Sequence, residues 1–435
     1  MKKEAQDKVS VLKPRPRVIP RNEHIISRNN ISDSALKVLY RLKNADYQAY
    51  LVGGSVRDLL LGREPKDFDV VTDAHPEQVR ELFRNSILIG RRFRLAHVRY
   101  GREIIEVSTF RAPHHVADGA GHMVDGRIVR DNVYGTLEDD VWRRDLTVNA
   151  LYYNIEDFSV IDYTGGMQDI LAGRIRLIGE PRQRFIEDPV RLLRAVRFAV
   201  KLGFRIDPDT EKTIIALAHL LEEMPPARLF EEILKLFMGG YAVQTFEQLR
   251  HYGLFAPLFP QTEATLAQQE GGFPHMLLIH ALNNTDKRLA ENKPVTPGFL
   301  IASLFWIPMN IMAKEYMANG LSETDAIHLA GDVVISKQIT RTAIPRRFTR
   351  IAREIWQLQP RLKRQGGKRS LRLLAHPRFR AAYDFLLLRA QAGEDVQELA
   401  DWWTHLQEQD HAKPDTEQKI TSGIKGRHRR RPEKI

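Results

Sequence analysis

The feature that most constrains this chain is a pair of acids placed shortly after a glycine turn: Gly53-Gly54-Ser55-Val56-Arg57-Asp58, then Lys66-Asp67-Phe68-Asp69. Residues 50–52 read as an apolar strand, the glycines as a turn, and 56–61 as a short helix. A second strand then carries Asp67 and Asp69. Side chains at i and i+2 of a strand share a face, so the two carboxylates are expected to project together beside the turn. Such a pair repels unless a cation lies between its members. Hard oxygen ligands suit Mg²⁺, commonly held by one or two carboxylates plus substrate phosphates. Gly53 and Gly54 admit backbone N–H groups to phosphates with no Cβ in the way. Each feature alone is commonplace, as a turn or an exposed edge strand. Together, with Arg57, Asp58 and Lys66 between them, they describe a metal-dependent nucleotidyl transfer site.

A two-metal site needs a third acid returning to the same face. Residues 103–110 are β-branched and bounded by Gly101 and Pro113, the pattern of a strand. Glu106 sits mid-strand, where an unpaired buried charge is costly. By pattern it is either solvent-facing or a ligand, and the Asp67/Asp69 pair favours ligand. Residues 95–100 read as the partner strand across a Gly101-Arg102 hairpin turn. A helix over 76–83 opens on Pro76.

Here the chain resembles the tRNA nucleotidyltransferase/poly(A) polymerase family of the polymerase-β-like superfamily. The resemblance rests on the two motifs above, on Arg143-Arg144-Asp145-Leu146-Thr147-Val148-Asn149-Ala150, and on Glu187-Asp188-Pro189-Val190-Arg191-Leu192-Leu193-Arg194-Ala195-Val196-Arg197-Phe198. Within the family, Gly90-Arg91-Arg92-Phe93-Arg94-Leu95-Ala96-His97-Val98 is more similar to the bacterial poly(A) polymerase branch than to CCA-adding enzymes.

The resemblance implies that Asp67, Asp69 and Glu106 bind two Mg²⁺ ions, with Mn²⁺ able to substitute. It implies that Gly53, Gly54, Ser55 and Arg57 hold the triphosphate of ATP, and that Arg144, Asp145 and Asn149 contact sugar and phosphates. Read structurally, Asp145 is instead a helix N-cap paired to Arg144. Asp188 and Arg191 would read the Watson–Crick edge of the incoming base, on a helix where Arg194 and Arg197 continue the same side. The plain alternative is a solvated charge ladder, with Asp188 as N-cap and Pro189 in the first turn. His114, His115 and His122 lie in a Gly-, His- and Asp-rich segment, 113–136, which reads as a mobile loop because no helical His spacing or cysteine supports a metal site.

The formal net charge is +11, which implies an anionic partner. From Arg341 to Arg380 the only acid is Glu354. Arg346, Arg347, Arg350, Lys363, Arg364, Lys368 and Arg369 are read there as RNA-backbone contacts, salt-dependent and indifferent to sequence. Phe348 and Trp356 lie among them, either stacking bases or packing a helix. Glu231 and Glu232 are expected to face solvent. The chain has no cysteine, which excludes disulfides and thiolate metal sites and accords with a reducing cytoplasm. The lysine-rich start lacks the apolar run of a signal peptide, and no stretch has membrane-spanning length. A soluble, cytoplasmic protein is expected.

The fold class read from these patterns is an α+β nucleotidyltransferase head, a mixed sheet with helices, followed by an all-α neck, body and basic C-terminal helical region. The expected divisions are an extended basic arm (1–30), the head (31–180), a neck recognising the base (181–240), a body (241–340), a basic RNA-binding leg (341–410) and a disordered basic tail (411–435). Helices are expected over 34–43, 210–223, 226–238 and 273–319, the last broken by prolines. The expected activity is template-independent addition of AMP to RNA 3′ ends, serving RNA processing and turnover, with the turnover machinery as partner. A CCA-adding tRNA nucleotidyltransferase is the alternative. A non-catalytic RNA-binding protein is disfavoured, since a dead scaffold has no reason to keep mutually repelling acids.

Overall fold

The apolar, β-branched runs of the first half pair into one mixed sheet. Its strands are β1 (Arg17–Ile19), β2 (Ala49–Val52), β3 (Asp69–Thr72), β4 (Ser86–Ile89), β5 (Leu95–Tyr100) and β6 (Glu103–Thr109), then β9 (Leu151–Asn154) and β10 (Val160–Asp162). Between them, β7 (Met123–Val124) and β8 (Arg127–Ile128) form a separate two-stranded ribbon. The order across the sheet is β1-β10-β9-β2-β3-β6-β5-β4, with β3 and β6 parallel and every other neighbour antiparallel. The computed structural model describes residues 15–90, 94–112, 123–124, 127–128, 133–267 and 276–411. The chain divides into two compact units, one ending at Leu220 and the other starting at Leu221.

Leu51, Val70, Val71, Ala96, Val98, Ile105 and Val107 are buried in the sheet. The helix Asp33–Lys43 covers it with Ala35, Val38, Leu39 and Leu42, and the Ser32 hydroxyl caps its start by accepting from Ala35 N–H at 3.2 Å. The β5–β6 hairpin turns at Gly101, whose φ of 62° suits glycine. Pro76 opens the helix Pro76–Leu82, as expected.

Two expectations change here. Asp67 is not in a strand: β3 begins at Asp69, and Asp67 lies in the bend before it. Pairing starts only where Asp69 meets Val52, because the partner strand ends there and the chain turns at Gly53, φ 75°. The basic start is also not a free arm over its described part. Arg17–Ile19 joins the sheet edge beside β10, and His24 is buried, its Nε2 bonded to the Phe158 carbonyl at 2.9 Å. Residues 1–14 lie outside the described residues.

A tight anchor follows β10. The Asp162 carboxylate accepts backbone N–H bonds from Thr164, Gly165, Gly166 and Met167 at 2.8–3.0 Å. Asp169 accepts from the Thr147 hydroxyl at 2.7 Å and from Arg176 Nε at 3.0 Å. Gly166 packs so closely that a Cβ there would stand 2.3 Å from the Thr147 carbonyl oxygen. Gly166→Ala is therefore expected to displace the 147–149 segment and cost about 1–3 kcal/mol as overpacking. A thermal melt reads this directly, and an unchanged melting temperature would remove the anchor argument.

The second unit is helical throughout its described residues. The helices Pro297–Leu304 and Arg346–Leu362 cross where Gly298 meets Ile351; a Cβ on that glycine would come within 2.6 Å of the Ile351 Cβ. The helical run breaks ahead of Pro308 as expected: the helix Pro297–Leu304 ends at Phe305 and a new helix, Trp306–Ala318, takes Pro308 into its first turn, where a missing N–H costs nothing. Glu232 departs from expectation: it is buried, with Lys235 Nζ 2.7 Å away, while Glu231 is exposed. Trp356 packs rather than offering itself to bases: it is 1% exposed and its Nε1 donates to the Ala302 carbonyl. Phe348 is half-buried against Phe230, ring centroids 6.0 Å apart. No helix among the described residues is long and apolar enough to cross a membrane.

Candidate active site

Strand register places the acids. Asp69 on β3 lies directly beside Glu106 on β6, and Glu106 beside His97 on β5, with His97 Nε2 3.5 Å from a Glu106 carboxylate oxygen. On the other side Asp69 faces Val52, which faces Tyr152. Directly paired residues project to one face, so Tyr152, Val52, Asp69, Glu106 and His97 form a row across it. Burial, then the Glu106 charge, pushes the Asp69 carboxyl up to about 6; Arg144 opposes this and Asp67 adds to it. Asp67 thus acts on Asp69 from the preceding bend. Among the described residues no three acidic or histidine side chains form a ready-made metal cage. The acids suit a hard divalent cation whose remaining ligands come from a phosphate substrate.

The glycine turn closes the row on one side. Gly53 adopts φ 75°, ψ −134°, a conformation open to glycine, and leads into the helix Gly54–Leu60. A Cβ on Gly53 would lie 3.8 Å from Arg144 Nη1 and 3.9 Å from Asp69 Oδ2, so these two groups bound the space over the turn. The Ser55 hydroxyl donates to the Val52 carbonyl at 3.0 Å. Arg57 is 2% exposed, with Nη1 donating to Asn149 Oδ1 at 2.6 Å and both Nε and Nη2 to Asp58. Two motifs distant in sequence, Gly53–Asp58 and 143–150, therefore meet at the Arg57–Asn149 bond.

The pairing expected within Arg143-Arg144-Asp145 is different in the structure. Asp145 does not pair with Arg144; it accepts from Arg194 Nε at 2.5 Å and from Leu146 N–H at 2.9 Å. Burial opposes its ionisation, but Arg194 and these hydrogen bonds outweigh burial and hold the carboxyl below its usual range. Arg144 turns back instead to Asp140 on the helix Leu137–Arg143, a residue the motif reading passed over. The available signal was helical spacing: Asp140 precedes Arg143 and Arg144 by three and four residues.

Asp188 does not lie in the first cap position; the helix Val190–Leu202 follows Pro189, and the Asp188 carboxylate accepts from Val190 N–H at 3.3 Å. Arg191 Nη1 donates to Glu187 at 3.0 Å and to the Arg184 carbonyl at 2.8 Å. Arg184 in turn donates to the carbonyls of Arg143 and Arg144. The Phe198 ring gathers three guanidinium groups, those of Arg57, Arg194 and Arg197, at 5.3, 5.5 and 4.5 Å. Arg184, Glu187 and Phe198 were not singled out from sequence because their value lies in what they touch.

In the second unit Arg346, Arg347 and Arg350 are exposed on the helix Arg346–Leu362, whose Thr349, Ala352, Ile355, Trp356 and Leu358 turn inward. Lys363, Arg364, Lys368 and Arg369 are exposed beyond it, Lys363 with Glu323 2.6 Å away. Residues 91–93, His114, His115, His122 and the tail from 412 lie outside the described residues.

The chain matches the "Poly A polymerase head domain" over residues 49–176, the "Probable RNA and SrmB- binding site of polymerase A" over 203–266 and the "Polymerase A arginine-rich C-terminus" over 319–434. It is 50% identical over 413 residues to the Poly(A) polymerase I of Salmonella typhimurium, spanning 93% of this chain and 89% of that one. The chain belongs to the poly(A) polymerase I family. A CCA-adding enzyme of Lactobacillus helveticus is 38% identical over 213 residues, 49% of this chain and 52% of that one. A solved tRNA-processing enzyme in an apo form shares the fold, with TM-score 0.60 at 24% identity, covering 92% of this chain and 98% of that one. Sequence likeness to Poly(A) polymerase I thus extends past the four motifs to the basic C-terminal part, whereas the sequence match to that CCA-adding enzyme spans half the chain.

Proposed function

We propose that this protein is a template-independent poly(A) polymerase, transferring AMP from ATP to RNA 3′-hydroxyl groups with release of pyrophosphate. The observation that carries the reading is the Asp69–Glu106 pair, with Asp67 acting on it, beside a glycine turn bounded by Arg144. The oxygen-only donor set fits Mg²⁺, or Mn²⁺ in its place, and Asp67, Asp69 and Glu106 are the residues to hold it. Bound there, the ions supply acidification of the attacking hydroxyl and neutralisation of the leaving pyrophosphate.

The chain's own groups supply the rest. Gly53 and Gly54 let phosphate oxygens approach the backbone, while Arg144 Nη1 faces the space above the turn. Arg57, paired with Asp58 and donating to Asn149, fixes the geometry of the glycine turn at the same end. Ser55, Asp145, Arg194 and Arg197 complete the nucleotide-binding surface. Asp188 and Arg191 read the adenine edge, and the grip of Glu187 on Arg191 keeps that pattern fixed, which is what penalises a base with different donors. The exposed arginines and lysines of 346–369 hold RNA through its phosphates. The neck, body and leg boundaries at 181–240, 241–340 and 341–410 divide these duties, and tailing serves RNA turnover in the cytoplasm.

The test is incubation of the purified protein with Mg²⁺, an unrelated oligoribonucleotide bearing a free 3′-hydroxyl, and each nucleoside triphosphate separately. A long ladder with ATP alone is expected. Growth that stops after a few additions, needs CTP and requires a tRNA end would replace this reading with CCA addition.

A further inference from the structure

We propose that Asp140 is a positioning residue which, together with Tyr152, aims Arg144 so that its Nη1 faces the triphosphate space over Gly53; this rests on the function proposed above. Asp140 is 0% exposed and so has no water to satisfy it. Its Oδ1 accepts from Arg143 Nε at 2.8 Å, and its Oδ2 from Arg144 Nη2 at 2.8 Å, Arg144 Nε at 3.1 Å and the Tyr152 hydroxyl at 2.8 Å. Tyr152, fully buried, also accepts from Arg144 Nε at 2.7 Å and lays its ring 5.2 Å from the guanidinium carbon.

The guanidinium is planar, so fixing two of its nitrogens fixes the third. With Nε and Nη2 turned to Asp140 and Tyr152, Nη1 is the nitrogen left on the side of Gly53 and Asp69. One acid shared between two arginines leaves the cluster positively charged, the sign that a triphosphate needs. The fold supplies the frame from two directions. Asp140 comes from the helix Leu137–Arg143, and Tyr152 from β9, in the same cross-strand row as Asp69. Stability alone is a poor account of this arrangement, because a buried ion pair is often no better than a hydrophobic replacement. Preorganisation of a phosphate-binding arginine is a better one, since a charge already aimed needs no reordering when substrate arrives.

The test is a double-mutant cycle on the full-length enzyme, using Asp140→Asn and Arg144→Ala, with the ATP and RNA dependence of tailing and the melting temperature recorded for each. Asp140→Asn is expected to lower kcat/KM for ATP about 10–100-fold, chiefly through KM, as removal of an outer-shell partner commonly does. KM for RNA should stay unchanged. In the Arg144→Ala background the same substitution should cost nothing further, because residues acting as one unit are non-additive. Wild-type ATP dependence in Asp140→Asn, or an equal loss in both backgrounds, overturns the proposal. Wild-type ATP dependence in Arg144→Ala overturns instead the assignment of the triphosphate space on which it rests. If Asp140→Asn does not fold, Tyr152→Phe takes its place in the cycle, with the same loss expected and the same outcomes decisive.

Discussion

Asp69→Ala is expected to lower nucleotide incorporation by about 10³-fold or more, while RNA binding persists. The size follows from the role: a metal-held charge contributes several kcal/mol to a transition state, and each 1.36 kcal/mol is about tenfold in rate. Asp69 stands at the centre of the acid row, with Glu106 beside it in register and Asp67 two residues before it. Glu106 does not take its place, because it is itself assigned to the ions and projects from the neighbouring strand. RNA binding should survive, since the exposed basic residues of the second unit are untouched. The two measurements are single-nucleotide extension with radiolabelled ATP and a filter-binding titration on the same RNA. Unchanged incorporation would sink the metal assignment, and unchanged incorporation with intact binding would also reopen which acids do the chemistry.

The second large effect runs in the opposite direction. In the metal-free protein Asp69→Asn should be stabilising at neutral pH. The carboxyl rises from 3.8 to about 6 in the folded state, so the native state holds this proton more tightly than the unfolded chain does. Between these two values the native state carries more protons, and stability falls as pH rises. Above about 6 the penalty is constant, and below about 4 it vanishes because both states are protonated. A rise of about two pH units corresponds to at most about 3 kcal/mol, less what partial solvent access screens. The melting temperature of Asp69→Asn minus that of the wild type, in chelator, should therefore grow from pH 4.5 to about 6 and then level off. A difference independent of pH would refute the raised Asp69 carboxyl, which burial causes first and the Glu106 charge second. Cation binding must displace the same proton, so Mg²⁺ affinity should rise through the same window.

Much of the candidate site was legible along the chain because it is written in short spacings. The glycine turn, the two acids and the strand bearing Glu106 each depend on local order, although the pattern of that strand left Glu106 either solvent-facing or a ligand until strand register set it beside Asp69. The arginine tract likewise needed only a count of charges. What went astray was pairing. Arg144 and Asp145 are neighbours, yet one binds Asp140 and the other Arg194. Asp67 was assigned to a strand that begins only at Asp69. Glu232 was expected to face solvent and is buried, while Trp356, left open between stacking bases and packing a helix, packs.

The sequence by itself determined the kinds of groups available: three acids, a glycine turn, a run of arginines spaced along a helix, and a basic tract from Arg341 to Arg380 in which Glu354 is the only acid. Side-chain chemistry and short-range geometry suffice for that. Only the tertiary structure decided that Asp145 belongs to Arg194, that Asn149 holds Arg57 and that Phe198 brings Arg57 together with Arg194 and Arg197. Those choices depend on contacts between residues dozens of positions apart, set by strand register and helix packing. No local pattern carries that information, because any of several acids satisfies an arginine equally well until the fold brings one of them within reach.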